Sequence, residues 1–351
     1  MTDFYTNWPN ALKKLGIHAL GIVSAENTKT YSAYCEIIQK GVPVNLYYLV
    51  RNKECRKDFS HIMPETKSVI SCAVAIPNIP DNSVCKYARF CALGDYHHVL
   101  RDRLKAVDQL LRQHYPIKNS RICVDSAPVL ERELAVRSGI GSIGFNRMVI
   151  HPDYGSWISL GELLVDVDLS NDAKWLNYQV ITCDEADLIP GHRCVCSAEN
   201  RICVKSCPTH ALSESGYDMH KCLSYWSTQH KGEIPEEYEL MMKDVIWGCD
   251  RCQLCCPQNR HFVLEQYESP LWKLTFEDIL TSSGKSLQKK VSGSPLFDAN
   301  PYMIQRNACI VIGNLGEIGY KGLLESIAQN HPCDWVRSTA GRSLKRLCHE
   351  H

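Results

Sequence analysis

Hydrophobic and polar positions follow two different periods in the first part of the chain. The segments KSVISCAVAIP (67–77) and RICVD (121–125) are short apolar runs, and such runs predict β-strands. Between them, residues 97–115 repeat apolar side chains at helical spacing, which predicts an amphipathic helix. Those side chains are Val99, Leu100, Leu104, Val107, Leu110 and Leu111. The pattern indicates an α/β (α+β) domain over residues 1–170.

Asp125 lies at a predicted junction between a strand and a helix. RICVD is expected to end at Asp125, with Ser126 as N-cap and Pro128 in the first turn of a helix that runs to about Ser138. Ligands often bind where strands meet helix N-termini in α/β folds. The position therefore makes Asp125 a candidate functional residue.

The remaining sequence changes character several times. The glycines of GIGSIGFN (139–146) form a GxGxxG pattern that follows a helix rather than a strand, so it is a weak dinucleotide signal. Residues 151–169 predict a turn into an edge strand, and 171–193 are polar and irregular, as in a linker. Amphipathic segments at 300–316 and 333–347 resemble HEAT-type helices. Their basic residues either face an acidic partner or form a solvated surface: Arg306, Lys321, Arg337, Arg342, Lys345 and Arg346.

Composition narrows the class of protein. The 351 residues are 44% hydrophobic, which supports packed globular domains. Lys and Arg total 39 and Asp and Glu total 39, so the whole surface is not built for nucleic acid, although a local basic face is compatible with this balance. The chain has no apolar run of about 18 residues, and charges interrupt its start, so we expect a cytoplasmic protein without a membrane partner.

Cysteine is the most unusual component of the sequence. The chain has 19 cysteines, and without an export signal these are expected to be metal ligands or reactive thiols rather than disulfides. The scattered cysteines are expected to be mostly small buried hydrophobes. The candidate ligands fall within one segment: Cys194, Cys196, Cys203, Cys207, Cys222, Cys249, Cys252 and Cys256.

Two C-x3-C-P endings occur in this segment, in ICVKSCP and in GCDRCQLCCP. In two-cluster ferredoxins the last cysteine of each such run ligates the other 4Fe-4S cluster. This crossing assigns one cluster to Cys207, Cys249 and Cys252 with Cys222 as fourth ligand, and it pairs Cys256 with Cys203. Zinc is the alternative, but it prefers paired C-x2-C knuckles. Two 4Fe-4S clusters are therefore predicted.

The first cysteine run is irregular, because a standard spacing would place ligands at Ser197 and Asn200. Cys194 and Cys196 could supply the two missing ligands, or Cys183 could replace one of them. A labile or absent cluster is the third alternative. Cys255 is left over as a packed thiol.

Motifs on both sides of the cysteines resemble, in the same order, those of the epoxyqueuosine reductase family. These are cobalamin-dependent enzymes of the last step of queuosine biosynthesis on tRNA. The motifs are YARFCALGDYHHVLRDRL (87–104), VDSAPVLERELA (124–135), GIGSIGFN (139–146), YGSWISLGELLVD (154–166), KCLSYW with GEIP (221–235), GCDRCQLCCPQNR (248–260) and QRNACIVIGNLG (305–316).

The resemblance implies three domains: a cobalamin-binding catalytic domain at 1–170, a double 4Fe-4S ferredoxin-like domain at 171–268, and HEAT-like helices at 269–351 that help to hold tRNA. It also implies a base-off cobalamin, a low-potential electron donor of flavodoxin or ferredoxin type, and a monomer. Aligning the motifs gives the expected cobalamin contacts: Arg51, Tyr96, Asp125, Ser126, Val149, Ser156 and Leu160.

The proton donor implied by the family's V-D-S-A-P motif is Asp125. A positioned carboxylic acid would neutralise the negative charge on the departing epoxide oxygen. Such an acid needs a raised pKa near neutral pH, which burial would provide. The structural alternative is a carboxylate that caps a helix.

Four positions depart from the family pattern: Ser142, Phe145, Arg147 and His98 stand where it has an aromatic residue, a lysine, a threonine and a lysine. Loss of two lysines would weaken contact with phosphates. Two alternatives therefore stay open, namely a paralogous corrinoid and iron–sulfur reductase with another substrate, and an electron-transfer protein without substrate chemistry of its own.

Overall fold

The structure is a computed structural model that describes residues 8, 10–79, 84–170, 184–214, 216–259 and 268–349. Cys183 and most of the predicted linker lie outside these residues. The chain divides into two compact units. The first comprises Met1–Ile76, Tyr96–Ser206 and Cys252–Val263, and the second comprises Pro77–Asp95, Cys207–Arg251 and Leu264–His351. This division cuts across the three predicted domains, because the cysteine-rich segment contributes to both units.

The strands of the described residues are short except for two central ones. They are β1 (Ala19–Ser24), β2 (Ser68–Ala75), β3 (Lys86–Tyr87), β4 (Ser120–Cys123), β5 (Ser142–Ile143), β6 (Val149–Ile150), β7 (Ile158–Val165), β8 (Leu212–Ser213), β9 (Gly216–Tyr217) and β10 (Val245–Trp247). In the first unit, β1, β2, β7 and β4 form one sheet in that order. Every pair in this sheet is antiparallel.

Strand β7 is central in the sheet, so the prediction of an edge strand at 151–169 is wrong. Leu163 lies opposite Ile70 on one side and opposite Ile122 on the other. Leu163, Leu164 and Val165 are fully buried in succession, which shows that both faces of the strand are covered. A strand buried on both faces has an almost continuous apolar run, and LLV is such a run.

The helices are α1 (Tyr31–Gln39), α2 (Lys53–Lys57), α3 (Tyr96–Arg112), α4 (Glu131–Arg137), α5 (Ile202–Lys205), α6 (Leu223–Thr228), α7 (Glu236–Met242), α8 (Arg251–Leu254), α9 (Phe276–Thr281), α10 (Gly284–Lys290), α11 (Pro301–Leu315), α12 (Lys321–Asn330) and α13 (Asp334–His349). The predicted helix at 97–115 is confirmed as α3, and it buries Leu100, Leu104, Val107 and Leu111. The strand predicted at 67–77 is confirmed as β2.

The junction around Asp125 differs from the prediction. Strand β4 ends at Cys123, and α4 begins only at Glu131, with Leu130 rather than Ser126 as N-cap. Asp125 has φ 48°, in the left-handed region, which neither a strand nor a helix can accommodate. The chain therefore makes an irregular turn between the two elements, and Asp125 stands at its start.

In the second unit, helices from α9 to α13 build one apolar core. Buried members include Phe276, Leu287, Cys309, Leu324 and Val336. Helices α11 and α13 confirm the helices predicted at 300–316 and 333–347. Helix α11 ends at Gly316, whose φ of 67° gives the left-handed conformation common after a helix C-terminus. No helix in the described part of the chain is both long and apolar enough to cross a membrane.

Arg306 contradicts the prediction of a basic surface. It is fully buried in α11, and its guanidinium donates to the carbonyls of Trp226, His230 and Gly232 at 3.0, 2.8 and 2.7 Å. It therefore fixes the chain that follows α6 instead of facing a partner.

The C-terminal arginines Arg342 and Arg346 pair with the buried Glu239 at 2.7 and 2.9 Å. Arg337 pairs with Asp334. Lys321 and Lys345 are exposed, so of the predicted basic set these two lysines match a solvated helix face.

Candidate functional site

Four of the predicted cluster ligands surround one cavity in the first unit. Cys194, Cys196, Cys203 and Cys256 line it together with Phe145, Asn146, Ile150, Pro257 and Gln258. Cys203 and Cys256 are buried, and Cys194 and Cys196 are half-buried. The structure thus places cysteines of the irregular first run and of the end of the second run around one cavity, and their binding of one cluster stays a prediction.

The chemistry of this donor set fits an iron–sulfur cluster. Burial and then the neighbouring Cys255, Cys256 and Cys194 raise the pKa of Cys203 to about 12. The pKa of Cys256 is raised by burial and by the neighbouring thiols. Crowded buried thiolates repel one another unless a cationic centre binds them, and sulfur ligands of this number suit a 4Fe-4S cluster.

The other predicted ligand set is divided between the units. Cys207, Cys222 and Cys249 belong to the second unit, and Cys252 belongs to the last segment of the first. Burial, followed by smaller influences that include Cys222, raises the pKa of Cys249 to about 11. Their common cluster stays a prediction. The spare Cys255 donates its thiol to the Cys252 carbonyl at 3.6 Å.

Three side chains converge on Asp125. Its Oδ2 accepts a hydrogen bond from the Tyr96 hydroxyl at 2.9 Å and lies 3.0 Å from His97 Nε2. Its backbone N–H donates to Glu131 Oε1 at 2.7 Å. The first turn of α3 and the first residue of α4 therefore hold both ends of this residue. The carboxylate itself is still 55% exposed, so it is presented to a ligand.

The pKa of Asp125 is lowered, in contrast to the raised pKa that was expected. The hydrogen bond from His97 is the largest cause, and the hydrogen bond from Tyr96 adds to it. Burial acts in the opposite direction but does not prevail. Asp125 is thus ionised near neutral pH in this structure.

Glu131 carries the raised pKa instead. Burial and the charge of Asp125 raise the pKa of Glu131 to about 7. The fully buried Glu162 of β7 lies close enough to be affected by Glu131, and its pKa is raised mainly by burial. Sequence reasoning missed both residues, although Glu131 stands six residues after Asp125 at the start of α4, where acidic side chains are common.

The expected cobalamin contacts form separate groups in the structure. Tyr96 contacts Asp125, and Leu160 packs against the apolar cluster that contains Val149. Ser156 is buried, and its hydroxyl donates to Gln253 Oε1 at 2.9 Å. Its backbone N–H donates to Asn259 Oδ1 at 2.7 Å.

Two further residues of the expected cobalamin set, Arg51 and Ser126, make hydrogen bonds to residues near them in sequence. The Arg51 carbonyl accepts from Arg56 Nη1, and the Ser126 hydroxyl donates to the Val124 carbonyl at 3.3 Å. The side chains of Arg51 and Ser126 are exposed. Binding of cobalamin by the seven residues stays a prediction.

The four departures from the family pattern occupy different surroundings. Ser142 is buried in β5, and His98 is exposed on α3. Phe145 lines the four-cysteine cavity, and its ring fills the space beside Gly191, where a Cβ would lie 2.1 Å from it. Arg147 has φ 67° in the turn that follows β5.

Two family models match parts of the chain. A family model described as a 4Fe-4S double cluster binding domain matches residues 196–259, so the prediction of iron–sulfur clusters is confirmed at that level. A second model, described as epoxyqueuosine reductase QueG, matches residues 56–126.

Relatives and solved structures extend the likeness to nearly the whole chain. Epoxyqueuosine reductase of Aliivibrio fischeri is 30% identical over 316 residues, which cover 86% of this chain and 80% of the relative. The Escherichia coli enzyme is 30% identical over 86% of this chain and 78% of its own. The structure of the Streptococcus thermophilus enzyme superimposes with a TM-score of 0.83 at 25% identity, covering 98% of this chain and 90% of that one. The extent of these matches shows that the chain belongs to the epoxyqueuosine reductase family.

Proposed function

We propose that the protein reduces epoxyqueuosine in tRNA to queuosine, with Asp125 as proton donor. The observation that carries the proposal is the exposed Asp125 carboxylate, whose Oδ2 contacts Tyr96 and His97, while Glu131 accepts from the Asp125 backbone N–H. The reaction consumes two electrons and two protons, and it converts the epoxide to an alkene and water. A structure of a family member with an epoxyqueuosine-modified stem-loop of tRNA-Tyr has the same fold, with a TM-score of 0.82.

Two 4Fe-4S clusters would supply one-electron transfer chemistry. The cavity of Cys194, Cys196, Cys203 and Cys256 supports the ligand set of one cluster. The other would use Cys207, Cys222, Cys249 and Cys252. A flavodoxin or ferredoxin would supply the electrons. Cobalamin, if held in the first unit by residues that include Tyr96 and Ser156, would supply strongly reducing chemistry.

We expect Asp125 to donate a proton in the reaction and to be reprotonated by a neighbouring group. Because its pKa is lowered in this structure, it needs either a change of surroundings or a nearby proton source. Substrate that covers its exposed face would remove water and raise the pKa. His97 lies 3.0 Å from Oδ2, and this places a titratable group where it can return a proton after each turnover.

The alternative functions make different predictions. A paralogous reductase would bind cobalamin and reduce another epoxide or a different electrophile. An electron-transfer protein would bind clusters but would have no need for an exposed carboxylate that two side chains position. The contacts around Asp125 therefore favour an enzyme.

The test uses the full chain, purified without oxygen and loaded with iron, sulfide and cobalamin. A stem-loop RNA that contains epoxyqueuosine is incubated with the protein and a chemical reductant, and the nucleosides are measured by mass spectrometry. Loss of one oxygen from the modified base in a cobalamin-dependent reaction is the expected result. Cobalamin binding without reduction of this RNA would favour the paralogue, and no cobalamin uptake would refute the reductase function.

A further inference from the structure

Three arginines meet at the turn between β5 and β6. The Arg147 N–H donates to the Gly144 carbonyl at 2.9 Å and closes a tight turn that carries Phe145 and Arg147. From α4, Arg132 Nη1 donates to the Arg147 carbonyl at 2.6 Å. The Arg201 guanidinium carbon lies 4.8 Å from the centre of the Phe145 ring. Three segments of the first unit thus meet at this turn, and each contributes an arginine to it.

No carboxylate among the described residues pairs with Arg147 or with Arg201. Within the same part of the chain, the Nε atom of each is buried without a hydrogen-bond partner. Arg132 and Arg201 repel Arg147 and, after burial, lower its pKa. Buried N–H groups are nearly always satisfied, and an exception indicates a missing water molecule or ion.

Two anions could balance the arginines: the iron–sulfur cluster or an external ligand. Phe145 lines the four-cysteine cavity, whereas Arg147 and Arg201 are absent from its lining. Arg201 instead lies over the Phe145 ring. This arrangement favours a ligand outside the cavity. The planar guanidinium fork matches the oxygen geometry of phosphate and is the usual choice for binding it.

We propose that Arg147 and Arg201 form a phosphate-binding site on the turn that Arg132 holds through the Arg147 carbonyl, and, on the basis of the proposed function, that its ligand is a backbone phosphate of the RNA substrate. The left-handed φ of 67° at Arg147 is uncommon for an arginine. A turn residue better suited to this conformation, such as asparagine, would fold there with less strain.

The test compares wild type with Arg147→Asn as full-length, cluster-loaded proteins. Asparagine tolerates the left-handed conformation, so the turn is retained while the charge is removed. Binding of a labelled anticodon stem-loop is measured by fluorescence anisotropy at several salt concentrations. We expect affinity to fall about tenfold at low salt, and the slope of log affinity against log salt to decrease by about 0.7 to 0.9. The matched control is Arg121→Gln, which removes an exposed positive charge from β4 and should have a smaller effect.

A separate arm uses pyrophosphate and calorimetry, so that the site is tested without RNA. Pyrophosphate binding that is present in wild type and lost in Arg147→Asn supports the site even if wild type fails to bind RNA, a failure that would count against the proposed tRNA function. Unchanged RNA affinity and salt slope in Arg147→Asn would overturn the inference. A lower cluster midpoint potential in a redox titration, with RNA binding unchanged, would also overturn it, because the arginines would then serve the cluster.

Discussion

Replacing Asp125 with asparagine tests the centre of the proposed mechanism. The amide has nearly the same shape, tolerates the left-handed φ of 48°, and can still accept the Tyr96 hydroxyl hydrogen. The amide has no acidic proton that it could transfer to the epoxide oxygen. We therefore expect the Asp125→Asn protein to fold, to bind iron and cobalamin as wild type does, and to lose activity.

The expected loss is about 100-fold or more, the scale of a lost general acid. A factor of 100 corresponds to about 2.7 kcal/mol in the activation free energy. The pH dependence gives a second readout. Because the hydrogen bond from His97 lowers the pKa of Asp125, only a small fraction of Asp125 is protonated near neutral pH. This fraction decreases further as the pH rises. The wild-type kcat/KM should therefore fall with rising pH, and the residual rate of Asp125→Asn should not follow it.

The assay is single-turnover reduction of an epoxyqueuosine stem-loop, followed by mass spectrometry, with iron content and the cobalamin spectrum measured on the same sample. Asp102→Asn is the matched control, since Asp102 is exposed on the same helix that carries Tyr96 and pairs only with Lys105 among the described ion pairs. An Asp125→Asn protein as active as wild type would refute the assignment, and Tyr96 or His97 would become the donor to test.

The remaining predictions concern metal content, stability and pH. Cys203→Ala should reduce bound iron from about eight to about four per chain, measured by iron analysis, whereas Cys255→Ser should leave it unchanged. Arg306→Met should lower the free energy of unfolding by about 3 kcal/mol or more, measured in urea, because three partly buried hydrogen bonds from a fully buried guanidinium are lost. Glu131 has a pKa raised from 4.5 to about 7, so its contribution to stability is present at low pH and is lost as pH rises through 7. The urea midpoint of wild type should therefore decrease as the pH is raised from about 5 to about 8. The decrease should be smaller in Glu131→Gln, and an equal decrease in both proteins would contradict the role of Glu131.

The sequence predicted those parts of the fold that depend on local periodicity. Helix α3 and helix α11 carry apolar side chains at helical spacing, and strand β2 is a β-branched run bounded by proline. The wrong predictions concern features of the fold that tertiary contacts determine. Nothing local shows that β7 is paired on both sides, and nothing local shows that Arg306 will meet backbone carbonyls more than 70 residues away in sequence.

The site was predicted to a similar extent. Cysteine spacing and the crossing rule were enough to group Cys203 with Cys256, and the cavity adds Cys194 and Cys196 to them. The pKa of Asp125 could not be predicted, because it depends on a histidine from α3 that only the folded chain places beside it. The hydrogen bond from Asp125 to Glu131 likewise requires the irregular turn that replaced the predicted helix start.

The buried Arg306 has a consequence for the order in which the protein folds during synthesis. The carbonyls of Trp226, His230 and Gly232 precede it by 80, 76 and 74 residues. At about 5 to 20 residues per second on the ribosome, roughly 4 to 16 s pass before their donor has been made. During that interval the segment after Cys222 is expected to stay solvated, because its carbonyls cannot be buried without a hydrogen-bond donor. Cluster insertion at Cys222 is therefore expected to follow release of the C-terminal helices from the ribosome, and a nascent chain stalled before residue 306 should not retain iron there.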